Sequence, residues 1–186
     1  EDVDGPLIDI RFERSIGSSS TFNLSFRQGL TDVAELLGDP NAPGITFGQT
    51  QRASAVSDPF EHRLFSTSID FNRSTNRWHL GAWVRSDEYV SSSFLDSDRS
   101  GLRATVDRTL GRAWRFRLSG AFRRTEFVNT VREDDDLTLL VGLSRQLSRR
   151  VRFDVDVGRI RSESTEIDAS YVENVVGLRI AYGTIE

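Results

Sequence analysis

The 186-residue sequence contains no cysteine, no methionine and no lysine. Without cysteine there is no disulfide framework, thiolate nucleophile or zinc–thiolate site. Without methionine the chain does not begin at its own initiator, which predicts processing or truncation. All 24 basic residues are therefore arginine, whose guanidinium stays charged in any surroundings and grips carboxylates through paired hydrogen bonds. Long apolar runs are missing as well. No stretch approaches the roughly 20 residues that a spanning helix requires, and with 28% charged residues a helical membrane protein is excluded. The net charge of −4 and the dispersed arginines give nucleic acid no basic patch.

What the sequence does contain is alternation of apolar and polar residues with a period of two, repeated about nine times. The apolar phases include Ile8-Ile10-Phe12, Phe22-Leu24-Phe26, Phe65-Ile69-Phe71, Trp78-Leu80-Val84, Leu102-Ala104-Val106, Trp114-Phe116-Leu118-Phe122, Leu137-Leu139-Val141-Leu143, Val151-Phe153-Val155-Val157 and Val172-Val176-Leu178-Ile180. Successive side chains of a strand point to opposite faces, so each segment has one apolar and one polar face. The prediction is all-β, antiparallel and up-and-down.

The connections alternate in length. Short turns are expected at 17–19, 74–76, 111–112 and 148–150, and longer polar connections at 38–59, 91–100, 130–136 and 162–170. Segment 38–59 holds three of the four prolines and reads as a long external loop; 30–37 (LTDVAELL) reads as either a short helix or a prolonged strand. Short turns at one end and long loops at the other are the habit of outer-membrane β-barrels. Their spans need about 9–11 residues per strand.

The polar phases are heavily charged. Asp9, Arg11, Glu13, Arg27, Asp70, Arg85, Arg103, Asp107, Arg115, Arg117, Arg123, Arg152, Asp154, Asp156, Glu173 and Arg179 share that phase. In a soluble sandwich they would form a wet exterior; in a membrane barrel they would line the lumen while the apolar phases meet lipid. The barrel reading is favoured, because a sandwich gives no reason for the alternating connections. Nine strands are odd, whereas bacterial barrels close with an even count. Either one segment is misread as a strand or the rest of the barrel is missing from this chain. The second is favoured, with 1–186 a single domain that forms the C-terminal part of a larger barrel. The arginines could act as a selectivity ladder or as a structural ion-pair lattice. Trp78, Trp114, Tyr89, Phe127, Tyr171 and Tyr182 lie near expected strand ends, where interfacial girdles belong.

Candidates for other chemistry are few. His62 and His79 sit on adjacent expected strands and would need to face each other to share a metal. Glu133, Asp134, Asp135 and Asp136 fall in an expected external loop and offer carboxylates to calcium; Asp96-Ser97-Asp98 is a shorter version. No serine lies in a nucleophile elbow. The reading is of a non-enzyme without cofactors.

Several segments carry a family resemblance: FNLSFRQGLTDVAELL (22–37), DPFEHR (58–63), DRSGLRATVDRTLGRAWRFRLSGAFRRTEF (98–127), REDDDLTLLVGLSRQLSRRVRFDVDVGRIRSES (132–164) and YVENVVGLRIAYG (171–183). In order, they resemble the C-terminal half of outer-membrane β-barrel porins associated with exopolysaccharide and PEP-CTERM gene clusters. The resemblance implies a bacterial outer-membrane protein that exports a surface polysaccharide or supports its export. Its partners would be membrane lipid, polysaccharide and other outer-membrane or periplasmic proteins. The alternative is a scaffold whose loops dock a partner protein. The sequence ends four residues beyond Tyr182, unlike barrels that finish on an aromatic residue.

Overall fold

Period-two segments joined by tight turns can do little but pair with their neighbours, and they do. The structure, a computed structural model, describes residues 8–31, 59–148 and 150–183. The strands are β1 (Ile8–Ile16), β2 (Ser20–Thr31), β3 (Phe60–Arg73), β4 (Asn76–Tyr89), β5 (Ser97–Leu110), β6 (Trp114–Phe127), β7 (Glu133–Gln146), β8 (Val151–Ser164) and β9 (Tyr171–Tyr182). They form one nine-stranded sheet in sequence order, every pair antiparallel. A single 3₁₀ turn at Ser93–Leu95 interrupts the β4–β5 connection. The expected loop at 38–59 and the helical option at 30–37 fall largely on residues 32–58, outside the described residues; Leu30 and Thr31 belong to β2.

The tight turns lie where expected. Gly17 and Gly111 have φ of 72° and 70°, values that glycine adopts without steric cost. The strands, however, exceed the expected length. Six of them, β3 to β8, have 14 residues. At about 3.3 Å per residue such a strand is roughly 45 Å long, and a tilt near 40° leaves it rising roughly 35 Å. A membrane apolar band is only about 25 Å tall, so roughly a third of each strand projects beyond it.

The register shows where. On one face of β6, Trp114, Phe116, Leu118 and Phe122 are followed by Arg124 and Glu126; on β7, Glu133 and Asp135 precede Leu137, Leu139, Val141 and Leu143. On β3 and β4 the change from charge to apolar comes at Phe65 and Val84. On β5, β6 and β7 it comes one register row nearer the tight turns, at Leu102, Phe122 and Leu137, and on β8 lower again, at Val157. A flat boundary crossing tilted strands must step in this way.

Among the described residues nothing packs on the apolar face. Among the described residues Phe60 alone is a buried hydrophobic, while Leu80, Val84, Leu102, Leu118, Val141, Val157 and Leu178 are all exposed. Water-soluble domains bury such a face against a second layer. Here the sheet is, among the described residues, a single layer, and its apolar belt is left open.

The polar face is the better packed. The Trp83 indole lies over Gly101, so that a Cβ there would stand 2.6–2.8 Å from the ring. Gly101→Ala should therefore destabilise the barrel by about 1–3 kcal/mol through overpacking. The temperature at which the compact gel band is lost would report it, and Trp83→Ala should suppress the loss if the contact is its cause.

Candidate functional site

The candidate site is the polar face. Antiparallel pairing places Asp9 opposite Arg27, Asp107 opposite Arg117, Arg123 opposite Asp136, and Asp154 opposite Arg179. By register, all sixteen charged residues singled out from the sequence share this face, and Arg77, Asp87, Arg99, Asp134 and Asp136 join them.

Most of the carboxylates are paired. Asp9 accepts from Arg11 Nη2 at 2.6 Å and lies 3.5 Å from Arg27 Nη2. Arg117 Nε donates to Asp107 at 2.8 Å, and Arg152 Nε to Asp154 at 3.2 Å. Arg123 donates to Asp136 through both Nε and Nη2. The Ser144 hydroxyl donates to Asp154, and Asn23 Nδ2 to Asp70 at 3.2 Å. Among the described residues Arg103, Arg115 and Arg179 have no carboxylate partner within ion-pair distance, and Glu13, Asp156 and Glu173 have no basic one. The face is thus a lattice of local pairs with a few unmatched charges.

Towards the loops the pairs become buried. Arg85 and Asp87 side chains are 4% and 1% exposed, with Arg85 Nε donating to Asp87 at 2.6 Å. Arg99 lies directly opposite Arg85, its Nη1 3.5 Å from the same carboxylate. Phe60 covers the Arg85 guanidinium, 5.7 Å from ring centroid to Cζ, and stacks on Tyr89. Composition alone could not reveal this cluster, because Asp87, Ser97 and Arg99 fall in a stretch where both phases are polar.

Several expectations need correction. The acidic run Glu133, Asp134, Asp135 and Asp136 opens β7 instead of lying in a loop. Alternation sends Asp134 and Asp136 to the polar face and Glu133 and Asp135 to the other, where Arg124 pairs with both. Four carboxylates split between two faces cannot converge on one calcium ion, and among the described residues no cluster of metal-ligating side chains forms. The histidines do not meet either: His62 faces Asp87, and His79 faces Asp70 with Nδ1 2.8 Å from Oδ1. Asp96 accepts from the Tyr89 amide at 2.8 Å and from Asn129 Nδ2 at 3.2 Å, as a loop brace. Of the expected girdle, Trp78, Trp114 and Tyr182 do lie on the apolar face at the turn side, with Arg145 stacked 4.9 Å over Trp114. Tyr89, Phe127 and Tyr171 carry the opposite phase, and Phe127 lies beneath Arg132.

The loops between strands are tied to one another. Asn129 donates to the Ser93 carbonyl at 2.6 Å, Thr165 Oγ1 to the Val131 carbonyl at 3.1 Å, and Arg132 pairs with Glu166 at 2.7 Å. The Asp134 carboxylate, hydrogen-bonded to Arg132, raises that guanidinium's pKa above its ordinary value. Together these loops border a cleft of about 510 Å³ between Phe94, Leu95, Phe127 and Val131. A second hollow, about 450 Å³, opens over β4 and β5 where the belt meets the charged band, between Phe65 and Arg124.

No family model matches the chain, and no curated protein is similar to it in sequence. Solved structures are similar in fold. In vitro folded OmpT, an outer membrane protein of Vibrio cholerae, superposes with a TM-score of 0.68 at 11% identity, over 97% of this chain and 56% of that one. Its trimer form gives 0.69 at 10% identity over 96% and 56%, and its loop L8 deletion mutant 0.67 at 11% over 98% and 55%. The chain therefore spans just over half the length of these barrels. Its fold is that of these outer-membrane β-barrels, with the apolar phases of its strands on the exposed face.

Proposed function

We propose that the sheet is one part of a closed, porin-like barrel whose charged polar face lines an aqueous lumen for hydrophilic, charged solutes. The solute that the sequence resemblance implies is a surface polysaccharide on its way out of the cell. The observation that carries the reading is the polar face itself. Its ion pairs would be of little use to a wall with water on one side and protein on the other, but they suit a wetted lumen of fixed shape.

Closure follows from strand direction. Exposed edges cannot persist in hydrocarbon, and β1 and β9 are the two edges of the described sheet. Both are odd-numbered in an antiparallel meander, so they run the same way. Pairing them directly would make one parallel contact. A second copy in the same membrane orientation meets the same obstacle. All-antiparallel closure therefore takes an odd number of further strands, and the shares of the similar barrels left uncovered leave room for them.

The proposal assigns the chain no enzymatic step. The test is conductance of the complete barrel in planar bilayers, together with surface polysaccharide after gene deletion. Stepwise conductance and lost polysaccharide are expected. A sealed barrel whose loss leaves the polysaccharide unchanged would overturn the reading. The tied loops and exposed Phe94, Val131 and Ile167 favour the docking-scaffold alternative; in that case substituting Phe94 and Val131 by serine should abolish co-purification of a partner.

A further inference from the structure

The Arg85–Asp87–Arg99 cluster does not balance. Arg85 and Arg99 are directly opposed on adjacent strands, an arrangement in which like charges repel, and they share the single carboxylate of Asp87. Arg123, the next guanidinium along the face, has Asp136 to itself. The hydrogen bonds are equally incomplete. Among the described residues Arg85 Nη2, Arg99 Nε and Ser97 Oγ are buried donors without a hydrogen-bond partner. So is one acceptor, Asp87 Oδ2, on the residue directly opposite Ser97 and 3.5 Å from Arg99 Nη1. Ser97 is wholly buried, and the Arg85 side chain is 4% exposed. Unmet buried donors are costly, most of all on charged groups. The Arg99 side chain, at 26% exposure, keeps a route to solvent.

Three donors and two guanidiniums outnumber the single unpartnered carboxylate oxygen of Asp87, and that surplus suits an oxyanion. We propose that Arg85, Ser97 and Arg99 form an anion-binding subsite on the polar face, near its loop end, for a carboxylate or phosphate group carried by a solute. Ser97 and Arg99 project from β5 at positions two apart and Arg85 from β4, so the site is built on paired strands and needs no loop to form. The planar guanidinium of Arg99 offers Nε and the Ser97 hydroxyl offers a rotatable O–H. An oxyanion can accept from both while neutralising the charge that Asp87 leaves over. This deepens the lumen reading, since it names the acidic group that the passing solute would present. It does not depend on conductance, because binding is measured on the closed barrel at rest.

The experiment is titration calorimetry of the folded, complete barrel in detergent, using inorganic phosphate and, separately, glucuronate, with chloride holding ionic strength constant. Saturable binding of at least one of them is expected. Arg99→Gln should weaken it roughly tenfold or more, the cost of losing a charge-assisted hydrogen bond. Ser97→Ala should weaken it several-fold without lowering the thermal midpoint, because removing a buried hydroxyl that lacks a partner relieves the folded state. Preference between the two probes identifies whether the natural group is a phosphate or a carboxylate. Absence of saturable binding by either, or equal affinity in wild type and both variants, would overturn the subsite. Binding retained in a barrel that does not conduct would instead remove the transport reading and leave the subsite in place.

Discussion

Val141→Arg should destabilise the folded barrel in a lipid bilayer by about 2–4 kcal/mol, the range for arginine near the midplane of a barrel's lipid face. Val141 lies mid-strand in β7, flanked on its face by Leu139 and Leu143 and opposite Leu118 and Val157. Thr138→Arg, three residues away, should stay within roughly 0.5–1 kcal/mol, as substitutions at wetted positions do. Thr138 has the other phase, between Ala121 and Ile160. Both variants introduce the same side chain into one strand, so propensity and net charge cancel in the comparison and only orientation remains. Urea unfolding in vesicles gives the two values. If the Val141 variant were as stable as the Thr138 variant, the apolar face would not be meeting lipid, and the sheet would have to be covered by protein.

The same contrast explains what could be read from the sequence. Within the belt each strand separates its phases cleanly, Leu137-Leu139-Val141-Leu143 against Thr138-Leu140-Gly142-Ser144, and the nine strands and their tight turns follow from it. Beyond the belt both faces are polar. Hydrophobic alternation stops there, while the backbone ladder continues through Glu133–Asp136, Ser97–Gly101 and Arg159–Ser164. Alternation alone consequently predicts a loop for the acidic run and a start for β5 near Leu102, short of its true start at Ser97. Phase still assigned the charged residues to one face, because register is conserved across a meander joined by short turns. Which of them pair, and which are buried, depends on cross-strand neighbours far apart in sequence, such as Asn23 and Asp70, 47 residues apart, or Ser164 and Asp134. The Arg85–Asp87–Arg99 cluster belongs to that second kind, and no motif announces it.

Asp87→Ala should be the most damaging single change on the polar face, at about 3–5 kcal/mol, because removing one member of a buried ion pair strands the other. Two guanidiniums would be stranded here, Arg85 and Arg99. Asp107→Ala breaks an ion pair of the same chemistry, yet the Arg117 side chain is 57% exposed, and water can replace the lost carboxylate; the expected cost is about 0–1 kcal/mol. Asp87→Asn should fall between the two, keeping an acceptor for Arg85 Nε but not the charge. Unfolding midpoints of the three variants check the order directly. The Asp87→Ala barrel also offers a sharper test of the anion subsite. With its internal carboxylate gone, an added oxyanion should substitute for it, so inorganic phosphate should raise this variant's midpoint far more than that of wild type or Asp107→Ala. Binding to the folded state alone stabilises by mass action, and only a site opened by the missing carboxylate gives that selectivity. An equal rise in all three would mean that phosphate acts on the protein generally, and the surplus charge at Arg85 and Arg99 would then be met by solvent.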